Sequence, residues 1–384
     1  MNKLSIVLKI TERCNLNCSY CYFFNGSDQS YKERPARMAD DDIDSLIEFL
    51  SDGIRDLSLG HINIGFHGGE PLLYGRKKLD DLCTKLSAKL SSKVKLTFSL
   101  QSNGLLIDER WIDIFKKHSI GLGISVDGPK EYNDKYRVDF QGNGSYDILL
   151  QKIELLHNLS MRFGILSVIN PDIGGLEMYN FITKDLKIKS FDVLFPHLTH
   201  DEEPMHNIKN FGKFLVDLFN VWVSDDNRKV RIRLFESFLR LFMGRRRLLY
   251  GLGATKDLAL PLVTIRGDGD LEPVTGLMYT DPQTVTKTGF NIKDINLNDF
   301  LKVPIFQEIA KAQLELPEKC KNCCWEHVCG GGNIIDRFSK KNRFNNPSTY
   351  CQALQELFSH MAKYLLNCGV SFNKLNETLK LETS

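Results

Sequence analysis

The sequence predicts an α/β fold on a parallel sheet, followed by a second, cysteine-rich region. Three observations carry this expectation. Over the first half of the chain, short apolar runs alternate with amphipathic stretches at helical spacing, which is the pattern of successive β/α units. The chain has 384 residues, 42% of them hydrophobic, and so exceeds the length at which one core stops growing. Most of its ten cysteines gather in two places, one near each end.

The strand candidates in order are Leu4 to Ile10, Ile62 to Phe66, Val94 to Leu100, Gly121 to Val126, Phe163 to Ile169 and Phe191 to Phe195. Between them lie helix candidates at Asp41 to Leu50, Lys77 to Leu90, Glu109 to Lys117, Tyr146 to Leu159 and Leu176 to Leu186. Each helix candidate places apolar residues three and four apart, so one face can cover a sheet. Six β/α units are fewer than the eight of a closed barrel. In such sheets a ligand sits at the carboxyl ends of the strands, and the loops after the first, second and fourth strands hold the unusual residues. Pro196 to Lys213 reads as a polar loop with His197, His200 and His206; no carboxylate or cysteine completes the spacing of a metal site, so it reads as a surface or substrate-contacting connection. Val216 to Val223 and Leu234 to Met243 are apolar at helical period and read as a helical bridge.

Charge and targeting exclude several classes. The 50 basic and 48 acidic side chains leave a net +2, which gives no electrostatic case for a nucleic-acid or membrane partner. The run Arg245-Arg246-Arg247 reads as a solvated helix face. No signal peptide opens the chain and no stretch reaches a membrane span, so the expected location is cytoplasmic, where cysteines serve metals better than disulfides.

After the first strand come Cys14, Cys18 and Cys21, at spacings x3 and x2. A four-iron cluster needs four ligands, so three cysteines leave one iron open, and an open position marks reactivity. Zinc prefers paired CxxC units and a disulfide needs an oxidising compartment. Here the chain resembles the radical S-adenosylmethionine (radical SAM) superfamily, whose signature CxxxCx(aromatic)C is matched with Tyr20 in the aromatic place. The resemblance implies a partial (β/α)6 radical SAM barrel. It also implies a [4Fe-4S] cluster whose open iron chelates S-adenosyl-L-methionine (SAM), and a 5′-deoxyadenosyl radical that abstracts hydrogen, with the protein positioning the cofactor.

Further turns extend the likeness. Gly68, Gly69 and Glu70 match the family's GGE motif, in which glycines permit close backbone approach and the carboxylate binds the amino group of SAM. Asn103 lies in a turn like the family's TNG, and Ser125, with Arg137 following, resembles the residues that contact the cofactor's carboxylate and ribose. Taken alone, each of these turns is ordinary polar turn vocabulary.

Near the C-terminus stand Cys320, Cys323, Cys329 and Cys351. Four thiolates complete a cluster without an open iron, and a structural zinc is the alternative the spacing leaves standing. Beside the N-terminal motif this tail resembles the SPASM extension of peptide-modifying radical SAM enzymes, and the likeness runs from about Leu4 to about Phe358. It implies a radical SAM barrel over 1–215, a helical bridge over 216–255 and a reduced SPASM-like domain over 256–384. A full SPASM domain has a cysteine in a DGxxxPC turn and another after the third cysteine of the tail. Val274 and Asn333 occupy those places. Neither can replace a thiolate, so the chain is expected to hold two [4Fe-4S] clusters and SAM. Cys324 is a possible substitute ligand, while Cys83 and Cys368 read as buried core thiols.

Cys329-Gly330-Gly331-Gly332 and Asn346 to Cys351 resemble the ribosomal-peptide maturases that form cyclophanes by joining an aromatic carbon to a β-carbon two residues on. Sulfatase-maturating enzymes share the fold, but the acid they place after the DGxxxPC cysteine corresponds to Thr275. The leading expectation is therefore a cyclophane-forming enzyme acting on a precursor peptide, with an electron donor such as flavodoxin or ferredoxin. The alternatives are a thioether-forming or dehydrogenating, sulfatase-maturase-like enzyme and, outside enzymes, an iron-sulfur or zinc binding module. No catalytic base is identifiable from the sequence.

Overall fold

The computed structural model describes residues 3–225, 229–245 and 262–379. Nine strands occur among these residues: β1 Lys3–Thr11, β2 His61–Gly68, β3 Lys95–Ser102, β4 Gly121–Ser125, β5 Phe163–Val168, β6 Ser190–Leu194, β7 Arg231–Ile232, β8 Leu262–Ile265 and β9 Leu271–Glu272. The six expected strands are β1 to β6, alternating with helices as the periodicity requires. The last three were not foreseen, because strands of two to four residues are too short to show a period.

The described residues form two compact units interleaved along the chain, one made of 3–126, 133–164 and 262–308, the other of 127–132, 165–225, 229–245 and 309–379. In the first, the strand order is β4-β3-β2-β1-β8-β9, parallel throughout except for the antiparallel β8–β9 hairpin. Leu4, Ile6, Leu8 and Ile10 alternate along β1 and are each at most 1% exposed, as one face of a strand covered by helices should be. Helix Asp40–Leu57 buries Ile43, Leu46, Leu50 and Ile54, a stripe at helical spacing. It runs about two turns beyond its expected end and stops where Ser58 turns left-handed at φ 50°. Helices Arg76–Leu90, Glu109–Lys117 and Tyr146–Asn158 fall within one residue of expectation. The third helix of the unit is capped by Asp108, whose carboxylate accepts from Trp111 N at 3.0 Å.

A buried cluster of charges joins β1, the loop after it and the β8–β9 hairpin. Arg266 donates to both carboxylate oxygens of Glu12 at 3.0 and 2.7 Å, and to Glu272 at 3.0 Å. Asp28 lies 3.5 Å away. Lys9 Nζ lies 3.6 Å from Glu272 and donates to Met278 Sδ at 2.7 Å. Phe23 stacks beneath both cations, at 4.6 Å from Lys9 and 5.3 Å from Arg266. Burial pulls Arg266 down, yet Glu272 and Glu12 outweigh it and its pKa is raised. Lys9 lacks a close carboxylate of that quality, and burial lowers it to about 8.

In the second unit the order is β7-β6-β5, all parallel. Helix Gly175–Asn180 ends in a wider π turn over Phe181–Asp185, so the single helix expected from Leu176 to Leu186 is two geometries in succession. Helix Ile208–Ser224 starts inside the expected loop of Pro196 to Lys213, because Asn207 caps it by accepting from Lys209 N at 3.0 Å. It packs on helix Cys351–Asn367 through Phe219 and Tyr364, whose rings are 5.3 Å apart. Helix Arg233–Phe242 adds Phe238 against Phe358 at 4.8 Å. Arg246 and Arg247 of the basic run lie outside the described residues. Among the described residues no helix is long and apolar enough to cross a membrane.

Cys83 is fully buried, as expected. Cys368 is exposed, contrary to expectation. Its helix ends at Asn367, and Gly369 at φ 88° turns the chain away, so Cys368 never joins the apolar face.

Arg266→Met should strand Glu12 and Glu272 as buried, unpaired carboxylates and destabilise the protein by about 3–5 kcal/mol. Urea unfolding of the variant against the parent measures this; a loss below about 1 kcal/mol would mean that the cluster relaxes to water.

Candidate functional site

The loop that follows β1 is held in place by its own backbone. Met38 N donates to Ile10 O at 3.1 Å and Glu12 N to Ala36 O at 3.1 Å, closing the loop at its base. Arg13 crosses the interior, donating to Tyr31 O at 2.7 Å and Arg34 O at 3.3 Å. Cys14, Cys18 and Cys21 therefore sit on a fixed arch. Leu16 N points at Cys14 Sγ at 3.4 Å, and Phe24 and Phe23 amides hydrogen-bond Cys21. Amide donors aimed at sulfur suit a thiolate bound to metal. Without one, burial and then Glu70 push the Cys14 thiol up to about 12.

Gly68 and Gly69 serve this arch. A Cβ on Gly68, which has φ 138°, would lie 2.1 Å from Thr11 O, and one on Gly69 would lie 2.2 Å from Arg13 O. The close approach expected toward a ligand is thus made toward the cysteine loop's backbone, with Gly69 N donating to Thr11 O at 3.0 Å and Glu70 N to Arg13 O at 2.8 Å. Glu70 is 1% exposed. Its carboxylate accepts from Leu72 N at 3.0 Å, Ser102 Oγ at 2.8 Å and Asn103 N at 2.8 Å, three of about four acceptor positions a carboxylate offers. Burial raises its pKa, and these three bonds oppose the rise.

The other cofactor candidates converge on the same arch. Asn103 Nδ2 donates to Asn15 Oδ1 at 2.8 Å and lies 3.8 Å from Cys14 Sγ. Asn17 N donates to Val138 O at 2.8 Å and Ser19 N to Tyr136 O at 3.0 Å. That pairing sets Arg137 beside Tyr20, whose hydroxyl accepts from Arg137 Nη1 at 2.6 Å. Ser125, at the end of β4, accepts from Gln101 Nε2 at 2.9 Å. His67 is half-buried one residue before the glycines, and desolvation followed by Lys9 lowers its pKa to about 4, so it is neutral. The charge cluster under the arch escaped sequence reasoning. Its one signal was Lys9, a lone charge inside the apolar run from Leu4 to Ile10.

In the second unit Cys320, Cys323, Cys329 and Cys351 line one cavity, walled by Trp325, Leu354 and Phe358. Gly330, Gly331 and Gly332 have φ of 65°, 84° and 85°, a left-handed run that only glycine sustains without strain. It lets Gly331 O accept from Ser348 N at 3.1 Å, and a Cβ on Gly332 would meet Ser348 Cβ at 2.5 Å. This contact carries Cys351 to the other three cysteines. Cys324 is exposed and is not on the cavity lining. Asn333, at the place of a missing cysteine, accepts from Ile335 N at 3.1 Å and caps a short turn. Val274, at the other, is 8% exposed and packs in the core.

The histidines of the Pro196 loop disperse. His200 bonds Pro347 O at 2.8 Å, His206 lies 3.6 Å from Asp172, and His197 is half-buried, with desolvation lowering its pKa to about 4. Among the described residues no three His, Cys, Asp or Glu side chains are grouped around a single-ion position. The loop is instead tied to the cysteine-rich tail, since Tyr350 OH donates to Pro196 O at 2.8 Å and its ring stacks on Phe195 at 4.3 Å.

Comparison with known proteins identifies the arch. The Radical SAM superfamily matches over residues 8–182. The chain is 27% identical over 379 residues to the cysteine-type anaerobic sulfatase-maturating enzyme of Clostridium perfringens, covering 96% of this chain and 98% of that one. It is 24% identical to the serine-type anaerobic sulfatase-maturating enzyme of Bacteroides thetaiotaomicron, covering 92% and 87%. The solved structure of native anSMEcpe with bound AdoMet and Cp18Cys peptide superposes with a TM-score of 0.81 at 26% identity, over 95% of this chain and 98% of that one. With the cysteine arch and these likenesses in agreement, the chain belongs to the Radical SAM superfamily and is an enzyme that works with S-adenosylmethionine and [4Fe-4S] clusters.

Proposed function

We propose that this enzyme is a peptide maturase that oxidises a side chain by removing hydrogen from its β-carbon, a sulfatase-maturase-like reaction on a cysteine or serine. The likeness over 95% of the chain to a structure holding both AdoMet and a peptide carries this reading. When bound, SAM and the open-iron cluster supply a 5′-deoxyadenosyl radical that takes the hydrogen atom. Cys14, Cys18 and Cys21 hold that cluster. Glu70 has one acceptor position left for the ammonium of SAM. Gly68 and Gly69 set Glu70 against the arch, Asn103 and Tyr20 line the cofactor's place, and Ser125 and Arg137 take its carboxylate and ribose. Cys320, Cys323, Cys329 and Cys351 hold a second cluster in a dry, aromatic-walled cavity, which suits electron transfer.

One observation favours a second reading, cyclophane formation. Thr275, at the place of the sulfatase maturases' acid, has a hydroxyl that lies 4.0 Å from Met278 Sδ, and a neutral hydroxyl is a poor proton acceptor. Both readings remove two hydrogens, but only the first leads to an aldehyde, directly from a serine alcohol and, from a cysteine, through a thioaldehyde that water hydrolyses with release of hydrogen sulfide.

Reconstituted protein should carry about eight irons per chain, and replacing Cys14, Cys18 and Cys21 by alanine should leave about four and abolish 5′-deoxyadenosine production. About twelve irons would mean that Val274 and Asn333 do not prevent a further cluster.

Glu70→Gln puts an amide where two backbone N–H groups donate and removes the charge facing the ammonium. SAM affinity measured by calorimetry should fall by about 1.5–3 kcal/mol, roughly ten- to a hundredfold. Unchanged affinity would reduce Glu70 to a turn-capping residue.

For the product, the Cp18Cys peptide with deuterium on the β-carbon of its cysteine is the probe. Label should appear in 5′-deoxyadenosine, and the peptide should react with an aldehyde-specific hydrazide. Label transfer without an aldehyde, in a peptide lighter by two hydrogens and crosslinked, would select the cyclophane reading. Absence of label in 5′-deoxyadenosine while it is being formed would overturn cysteine oxidation.

A further inference from the structure

Arg337 is buried at 3% exposure beside the four-cysteine cavity. Its guanidinium donates only to carbonyls: Nη1 to Ala312 O at 2.7 Å, Nε and Nη2 to Phe344 O at 3.1 and 2.9 Å, and Nη2 to Glu315 O at 3.4 Å. Among the described residues no carboxylate pairs with it. The neighbouring Asp336 makes no ion pair with it, and burial raises the Asp336 carboxyl well above its ordinary value. A buried cation solvated by carbonyls but not neutralised costs several kcal/mol. Such a charge is stable when an anion stands nearby.

The place for an anion is on the cavity side. Nη1 sits against Gly331, 3.5 Å from where that glycine's Cβ would be, and Gly331 lines the cavity with the four cysteines. Burial pulls the guanidinium down to about 10, still far above neutral pH, and the acidic groups that act on it are Cys320 and Cys329 of the cavity. Glu326 also lines the cavity; it is 18% exposed and its carboxylate lies 3.4 Å from His327 Nε2. Trp325, Leu354 and Phe358 keep the site apolar, so a charge at this range acts with little screening.

We propose that Arg337 is the counter-ion of the tail cluster and sets its reduction potential, holding it more positive than the four thiolates alone would give. The inference rests on the reading that these cysteines bind an iron-sulfur cluster. Such a cluster gains one negative charge on reduction, so a fixed cation favours the reduced state, and net charge and hydrogen bonding are the levers by which a protein tunes this potential. Arg337 thereby acts through the cluster as a positioning residue for charge, not as a group that touches substrate.

The test uses full-length protein in which Cys14, Cys18 and Cys21 are alanine, so that only the tail cluster remains, with its potential read by redox titration followed by electron paramagnetic resonance. Arg337→Gln should titrate at a more negative potential, and Arg337→Lys, which keeps the charge but not the fork, should titrate near the parent. Arg337→Gln with full iron content and an unchanged potential would overturn the proposal. Should Arg337→Gln hold no iron, Arg337→Lys decides: parental iron content and potential support the charge, whereas a lost cluster or a shifted potential assigns Arg337 to holding carbonyls alone and overturns it. Failure of the parent itself to take up iron would refute the cluster reading instead, which distinguishes the two.

Discussion

The bidentate pair between Arg266 and Glu12, at 3.0 and 2.7 Å, is the interaction on which the cysteine arch depends. Glu12 lies two residues before Cys14 and Arg266 at the end of β8, so the pair fixes where the arch leaves the sheet. Both side chains are fully buried. A buried pair of this kind is weak evidence for stability, since an apolar replacement of both partners can do as well. Its value is specificity of geometry: the planar fork of Arg266 accepts one orientation of Glu12, and the Phe23 ring beneath it orients the segment that follows Cys21.

The same hairpin holds one of the two places at which this chain departs from the SPASM pattern it resembles. In the DGxxxPC pattern of the SPASM resemblance the turn between β8 and β9 is followed by a cysteine; here it is followed by Val274, buried in the core. The residues around it are charged and paired, with Glu272 bonded to Arg266 and near Lys9. Arg266, Glu272 and Lys9 lock hairpin to strand through this network. Asn333 has a backbone role, accepting from Ile335 N in a turn. Val274 and Asn333 thus each have local structural work to do.

The two cysteine sites differ in the way a reactive and an enclosed centre should. Around the N-terminal site the three thiols stand among polar groups, with Glu70, Asn103 and Arg137 close to the arch. Around the tail site the four thiols face aromatic and aliphatic walls. A centre that must bind a charged cofactor needs unspent hydrogen-bonding capacity, and Glu70 retains some. A centre that only passes charge gains from a dry wall, because low dielectric limits reorganisation and magnifies fixed charges.

By itself the sequence determined the α/β class, the six β/α units and both cysteine sets, because these are local: a strand-helix period and a ligand spacing are properties of consecutive residues. The likeness to cyclophane-forming maturases, drawn from the glycine run and Asn346 to Cys351, is not what the comparisons support; the sulfatase-maturating relatives favour the reading held as an alternative. The glycine run turns out to have a backbone reason, three left-handed residues that bring Ser348 and Cys351 in. That reason is independent of the product. Only the tertiary structure decided that Gly68 and Gly69 clear space for the cysteine loop and that Cys368 is exposed. It alone revealed that Arg266 meets Glu12 across 254 residues and that, among the described residues, Arg337 stands beside the four-cysteine cavity without a paired carboxylate. Contacts at such separations have no periodic signature, and burial of a charge is fixed by the elements that close over it, not by its neighbours in the chain.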